Sequence, residues 1–282
     1  MPAAAAPASP LAPPRRGWAV RSARGLPPWA GGLIGAVAVL AAWSALALTV
    51  FADTGNVPTP WAVVGQFATD GFDLYWGNLS TTTASALQGY LWGNLVAIAL
   101  AVVVLLVPPL EGAATQVAVL TYCVPLTAIG PIVLIVSEPG SRTTSVFLAA
   151  LSVVFTSVVG CLLGLRAADR SALDVVRAYG GSRWTALVKV RLVAALPNVF
   201  AALKLAAPAA FLGAVLGEYF GGVDSGLGIL ITAAQTNLRY AQLWALALLS
   251  GALAGAGYLF VGLIARIVAP WSSTGEREGG VS

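Results

Sequence analysis

TTSVFLAALSVVFTSVVGCLLGL, from Thr143 to Leu165, carries no charged residue, and it runs directly into RAADRSALDVVRAYGGSRWTALVKVRLVAALP, from Arg166 to Pro197, which carries eight. The first stretch has the length and apolarity of a helix that crosses roughly 30 Å of hydrocarbon, for which about 20 residues suffice. The second is too polar to remain in lipid and too long for a mere turn. Together they predict a helix that leaves a membrane, an excursion along one face, and a helix that re-enters.

The same alternation recurs on both sides. Charge-poor gaps lie between Arg24 and Asp53, Asp73 and Glu111, Glu111 and Glu138, Arg191 and Glu218 (interrupted by Lys204), and Arg239 and Arg266. With 58% hydrophobic and 9% charged residues in 282 and a mean hydropathy of +0.85, the chain has too little polar surface to coat a soluble globule of its size. The expected fold class is therefore all-α, a polytopic membrane protein of about six transmembrane helices.

The expected organisation is an Ala/Pro-rich disordered tail over 1–28, a first span over 29–51, an external loop over 52–78, a core of five spans over 79–270 and a second tail over 271–282. Within the core the spans are predicted at Thr82–Val107, Gly112–Val136, Thr143–Leu165, Pro197–Gly217 and Ala241–Val268. Pro108-Pro109 ends the second span because proline cannot continue a helix, and Pro125 and Pro131 kink the third. A competing view of the first span is a secretory signal, with Ala45-Leu46-Ala47 imitating a cleavage site.

Basic residues orient the chain. Four arginines precede span one, six basic residues (Arg166, Arg170, Arg177, Arg183, Lys189, Arg191) separate spans four and five, and Arg266 and Arg277 follow span six. The other side receives only Arg142 and Arg239 among several acids, so both termini are expected in the cytoplasm. The net charge of +4 is then a topology signal and implies no nucleic-acid partner. With no histidine and scattered acids, no cluster has metal-ligand spacing, so no metal site and no cofactor is implied. Cys123 and Cys161 fall in apolar spans, where sulfur packs as a small hydrophobe.

The segment between spans four and five reads as a short amphipathic helix near 170–181. Leu173, Val176 and Tyr179 recur at helical spacing, opposite Arg170, Asp174 and Arg177 in i,i+4 and i,i+3 relation. Gly180-Gly181 stops the helix, and Ser182 caps a second one that runs into span five. Taken alone, this element is also readable as an amphipathic helix lying on the membrane surface.

Its residues resemble the signature of importer permeases of the ATP-binding cassette superfamily: Asp174-Val175-Val176 for Glu-Ala-Ala, then Gly180, then Val190 and Leu192, with Ala195-Leu196-Pro197 following. Aspartate stands for glutamate, and Val193 stands where the pattern has proline. The resemblance extends over Thr81 to Val268, through Gly217-Glu218-Tyr219-Phe220 and Gly226-Leu227-Gly228, and is nearest to permeases for nitrate, taurine, aliphatic sulfonates and thiamine precursors. It implies a bacterial inner-membrane location and a permease subunit that does not itself hydrolyse ATP. The implied partners are two ATPase subunits, a second permease subunit (identical or different) and an extracytoplasmic solute-binding protein. Carried onto this chain, Leu173, Asp174, Val176, Arg177, Tyr179 and Gly180 form a cytoplasmic coupling helix that docks into the ATPase.

Within the spans, Gln88, Asn94, Gln116, Thr121, Tyr122 and Thr127 offer hydrogen-bonding groups to a solute, though interhelical glue is the commoner use of such residues. Glu218 is expected at a solvated helix end, or else at the external mouth of the pathway. Lys204 is placed about 10 Å into span five, where its ammonium snorkels toward the cytoplasm. A gradient-driven secondary transporter is the alternative function, for which membrane-buried acids in paired repeats or interrupted helices are expected. A membrane-embedded enzyme lacks a nucleophile with a base, and neither lysine lies in a Gly-Lys-Ser/Thr phosphate loop.

Overall fold

The computed structural model describes residues 28–273, so the expected tails lie almost wholly outside the described residues. Among the described residues the chain is entirely helical. The first helix, α1 (Pro28–Leu48), is followed by α2 (Pro60–Asp70) and the 35-residue α3 (Phe72–Leu106). A 3-10 turn at Pro108–Leu110 leads into α4 (Glu111–Cys123), α5 (Leu126–Val136) and α6 (Thr143–Arg166). After α7 (Arg170–Ala178), the helix that starts at α8 (Arg183–Ala186) continues through a π turn (Leu187–Arg191) into α9 (Leu192–Tyr219). The chain closes with α10 (Leu227–Thr236), α11 (Tyr240–Val268) and a 3-10 turn at Pro270–Ser273.

Five of these helices are long and apolar enough to cross a membrane, and the α4–α5 pair makes a sixth crossing when counted as one span. Span four coincides with α6, and the first and last spans with α1 and α11. Three expectations are corrected. The helix of span two starts at Phe72, ten residues before Thr82, because Phe72–Thr81 is helical despite Asp73 and Asn78. Much of the segment read as an external loop is therefore helix, comprising α2 and the first turns of α3. Span five extends back to the glycine turn, with Pro197 and Pro208 accommodated inside the helix. Span three is broken, not kinked: Val124 and Pro125 are extended, and α4 and α5 meet at 89°. Proline restricts the residue before it to extended backbone, which accounts for a break at Pro125. Pro131, one turn into α5, causes none.

The core is built on α6. Gly89 and Gly93 of α3 lie against Ala149, Ala150 and Val153, leaving no space for a side chain, and Gly213 and Gly217 of α9 lie as closely against the other side of α6. One buried cluster joins Ala86, Ala149, Val153, Ala206, Phe211 and Leu246 across α3, α6, α9 and α11. A second joins Ala97, Ala101, Ala114, Ala118, Val158 and Cys161 across α3, α4 and α6. Of the two free cysteines, Cys161 is buried as expected, whereas Cys123 is exposed at the α4 break. Glu111 and Arg166 form an ion pair at one end of this bundle.

At the other end polar contacts hold α1 and α2. Trp43 stacks on Trp244 at 5.3 Å, and their indole N–H groups donate to the carbonyls of Pro58 (3.0 Å) and Asn56 (3.2 Å). Asp70, the last residue of α2, accepts from Gln66 (2.7 Å), Tyr75 (2.5 Å) and Gln242 (3.1 Å), so one carboxylate ties α2, α3 and α11 together.

A Cβ at Gly213 would stand 2.6 Å from the Leu148 carbonyl oxygen and 2.7 Å from Ala149 Cα, whereas Gly251 has nothing within 4 Å. Gly213→Val is expected to destabilise the bundle by about 1–3 kcal/mol through overpacking. Gly251→Ala is expected to leave stability unchanged. The thermal unfolding midpoints of the two detergent-solubilised variants check this.

Candidate functional site

Beyond the Arg166 end of the bundle, the chain from Asp169 to Arg191 forms a helix, a glycine stop and a second helix. Asp169 caps α7: its carboxylate accepts from the Ser171 amide (3.2 Å) and the Ser171 hydroxyl (2.7 Å). These bonds hold the Asp169 carboxyl below the usual aspartate range, the side-chain bond from Ser171 first. The C-terminus is a Schellman motif. Gly181 N–H donates to the Val176 carbonyl (2.8 Å) and Gly180 N–H to the Arg177 carbonyl (2.9 Å), with Gly180 in the left-handed region at φ +72°. Ser182 then caps the next helix, its Oγ accepting from Thr185 N–H at 3.2 Å, at the position expected from the sequence.

Of the six residues expected at this site, Gly180 forms the turn and the other five differ in exposure. Asp174 and Arg177 are exposed and paired at 3.2 Å. Tyr179 is 89% exposed and points away from the bundle. Leu173 and Val176 are half-buried on the opposite side. Leu173 lines a cavity of about 570 Å³ with Leu105, Leu106, Leu187 and Arg191, and Arg177 and Trp184 border the same cavity, while Val176 packs on Gly181. The uncovered apolar surface thus consists of Tyr179 with Val175 and Trp184, at 56% and 70% exposure, two residues that the spacing argument missed. A helical stripe identifies an apolar face but not which neighbour it meets. The π turn at Leu187–Arg191, where the second helix joins α9, has no signature in the sequence.

The residues expected to line a pathway do not form one constellation. Gln88 is exposed and borders an open cleft of about 480 Å³ with Trp92, Arg142, Thr143 and Phe147. Asn94 is buried between α3 and α6, accepting from Ser157 Oγ (2.6 Å) and donating to the Tyr90 carbonyl (2.7 Å), which is the interhelical use. Gln116 and Thr127 are exposed on α4 and α5. Thr121 returns its hydroxyl to the Val117 carbonyl at 2.6 Å, and exposed Tyr122 stacks on Phe155 at 4.5 Å.

Glu218 corrects its expectation: it is 0% exposed, not solvated. One carboxylate oxygen accepts from Thr82 Oγ1 (2.8 Å) and Gly228 N–H (3.0 Å). Thr82 Oγ1 in turn accepts from Leu227 N–H (2.8 Å), and Asn78 Oδ1 accepts from Gly226 N–H (2.7 Å). Three side chains from α3 and α9 therefore occupy the amide-rich first turn of α10, where the helix dipole favours negative charge. The glycines of Gly226-Leu227-Gly228 are what let this turn approach: a Cβ at Gly226 would collide with the Glu218 carboxylate. Among the described residues, no group of His, Cys, Asp and Glu is arranged to hold a metal ion.

These features define a class: a multi-pass helical membrane protein with a capped, exposed helix between its fourth and fifth spans. The chain belongs to the family of binding-protein-dependent transport system inner membrane components, which matches residues 93–274, and so to the permease subunits of ABC transporters. Similar proteins include a probable ABC transporter permease protein of Haemophilus influenzae, 29% identical over 182 residues, covering 64% of this chain and 73% of that one. The riboflavin transport system permease protein RibX of Chloroflexus aurantiacus is 28% identical over 223 residues, covering 77% and 81%. The putative aliphatic sulfonates transport permease protein SsuC of Bacillus subtilis is 30% identical over 139 residues, covering 48% and 49%.

Two outcomes test the geometry. Because the folded Asp169 carboxyl titrates below its unfolded value, its cap is present above the ordinary aspartate range and is lost as pH falls through the folded value, below about 4. Amide exchange in the first turn of α7, referenced to α6, should be flat from neutral pH to about 5 and rise only below that window; Asp169→Ala should remove the pH dependence. At the other end, Glu218→Ala strands the Gly228 amide and the Thr82 hydroxyl and should cost about 1–3 kcal/mol in unfolding free energy. Glu218→Gln, which retains an acceptor oxygen, should retain most of the stability in the same measurement.

Proposed function

We propose that this permease subunit imports a small solute and is driven by separate ATP-binding cassette subunits that grip α7. The observation that carries the reading is the uncovered surface of Tyr179, Val175 and Trp184 beside the Asp174–Arg177 pair. An aromatic side chain 89% exposed on a doubly capped helix outside the spans has the composition of a protein-docking surface, an apolar anchor rimmed by charge. ATP binding closes the ATPase dimer, and α7 moves with it. The motion passes through the second helix into α9, tilting the bundle between inward-open and outward-open states.

The six basic residues between spans four and five support a reading in which α7, both termini and Arg266 lie in the cytoplasm of a bacterial cell and α2 and α10 lie outside. A solute-binding protein delivers cargo to that outer face, and a second permease subunit, the same or different, completes the pathway. Resemblance to sulfonate permeases and the identity with RibX support two solute classes, a small sulfonate-like anion and a flavin-like heterocycle; thiamine-precursor-like cargo belongs to the second. Gradient-driven transport by this chain alone is less favoured. Among the described residues Glu218 is the fully buried acid, and one of its carboxylate oxygens is already engaged in holding α10.

Affinity purification in mild detergent should recover an ATPase subunit. Gly180→Pro, or Asp174→Arg combined with Arg177→Glu, should reduce its recovery about tenfold or more, as expected for losing a hot-spot contact. Uptake by this chain in liposomes with an ion gradient and no ATPase would overturn the reading.

A further inference from the structure

Lys204 takes no part in the docking surface or in the Glu218 network. It projects from α9 onto α11, where its ammonium lies 4.8 Å from the centre of the Tyr258 ring. Its aliphatic end passes over Gly262, whose missing side chain leaves the groove that holds it. No acid among the described residues pairs with it. A ring face offers a lysine only part of what water gives, so a cation at this depth calls for an anion.

Position selects the anion. Tyr258, Gly262 and Arg266 follow one another at i, i+4 and i+8 along α11, so Lys204 sits about one turn, roughly 6 Å, inboard of exposed Arg266 in the last turn of the helix. That is the depth from which a lysine reaches the headgroup layer. The flanking surface carries Leu205 (58%), Leu259 (66%), Leu263 (58%) and Ile267 (80%) exposed to what surrounds the chain. Such a surface suits acyl chains. A solute path would need a continuous polar lining, whereas here two cations and a tyrosine are flanked by exposed leucines and an isoleucine.

We propose that Lys204 and Arg266, either side of the Gly262 groove with Tyr258 closing its inner end, bind the phosphate of an anionic phospholipid in the leaflet on the Arg266 side, its chains lying along the leucines of α9 and α11. The pairing follows the general behaviour of basic pockets between membrane helices, in which each cation near the headgroups contributes on the order of 1 kcal/mol.

Native mass spectrometry of the protein extracted in mild detergent, with whatever subunits co-purify, tests this with added phosphatidylglycerol or phosphatidylcholine. Phosphatidylglycerol should be retained over phosphatidylcholine. Lys204→Gln and Arg266→Gln should each lower its retention about fivefold, and Lys204→Arg should keep it. Arg266→Gln changes only an exposed side chain, so it reads the site even if Lys204→Gln fails to fold. Millimolar inorganic phosphate or methanesulfonate should not displace the lipid. Equal retention of the two lipids, unchanged retention in both glutamine variants, or displacement by the free anions would overturn the proposal, the last by assigning the site to a soluble anion.

Discussion

Helices in lipid gain nothing from burying apolar surface against one another, because the acyl chains they leave are as apolar as leucine. Close van der Waals contact must supply the attraction. In this protein that constraint is met at α6, where glycines of α3 and α9 bring three backbones together because they add no side chain to the contact. The buried hydrogen bond between Ser157 and Asn94 lies in the same seam. The other elements are placed relative to this triple contact. Alanines of α4 pack on its α3–α6 side, α11 packs on its α9 side, and the two ends of the bundle are left for polar work.

The two ends are built by different physics. At the Glu218 end, polar side chains from α3 and α9 satisfy the first amides of α10, so a short helix and a glycine-rich loop are fixed by buried hydrogen bonds. At the other end, α7 is stabilised locally, by the Asp169 cap and the Schellman stop, and makes few contacts with the bundle. One end is thus held by the core, and the other keeps its own shape while free to be held by something else. The helix from Arg183 to Tyr219, passing through the π turn, connects them.

Much of this was legible in the sequence, for reasons that also mark where legibility stopped. Charge-free gaps found α1, α6 and α11 because those helices begin and end near the hydrocarbon boundary. They misplaced the starts of α3 and of the helix leading into α9, because a helix does not stop at a charge: Phe72–Thr81, with Asp73, and Arg183–Pro197, with three cations, are both helical. Glycine and serine chemistry located the α7 stop and the next cap, since each depends on residues within a few positions. The burial of Glu218 was not legible, because its partner Thr82 is remote in the chain. The same holds for Leu173, whose inward orientation depends on the end of α3.

The right-angle break between α4 and α5 has a consequence for how the protein is made. Neither helix, at 13 and 11 residues, is long enough to span the hydrocarbon. The pair cannot leave the insertion machinery as one straight rod. What α5 rests on comes later in the chain: the Phe220 ring fills the space over Gly130, and Leu134 closes over Gly222. Synthesis therefore delivers the bent pair when α3, on which α4 packs, already exists but the residues that close over α5 do not, so α5 gains these contacts only after the end of α9 has arrived.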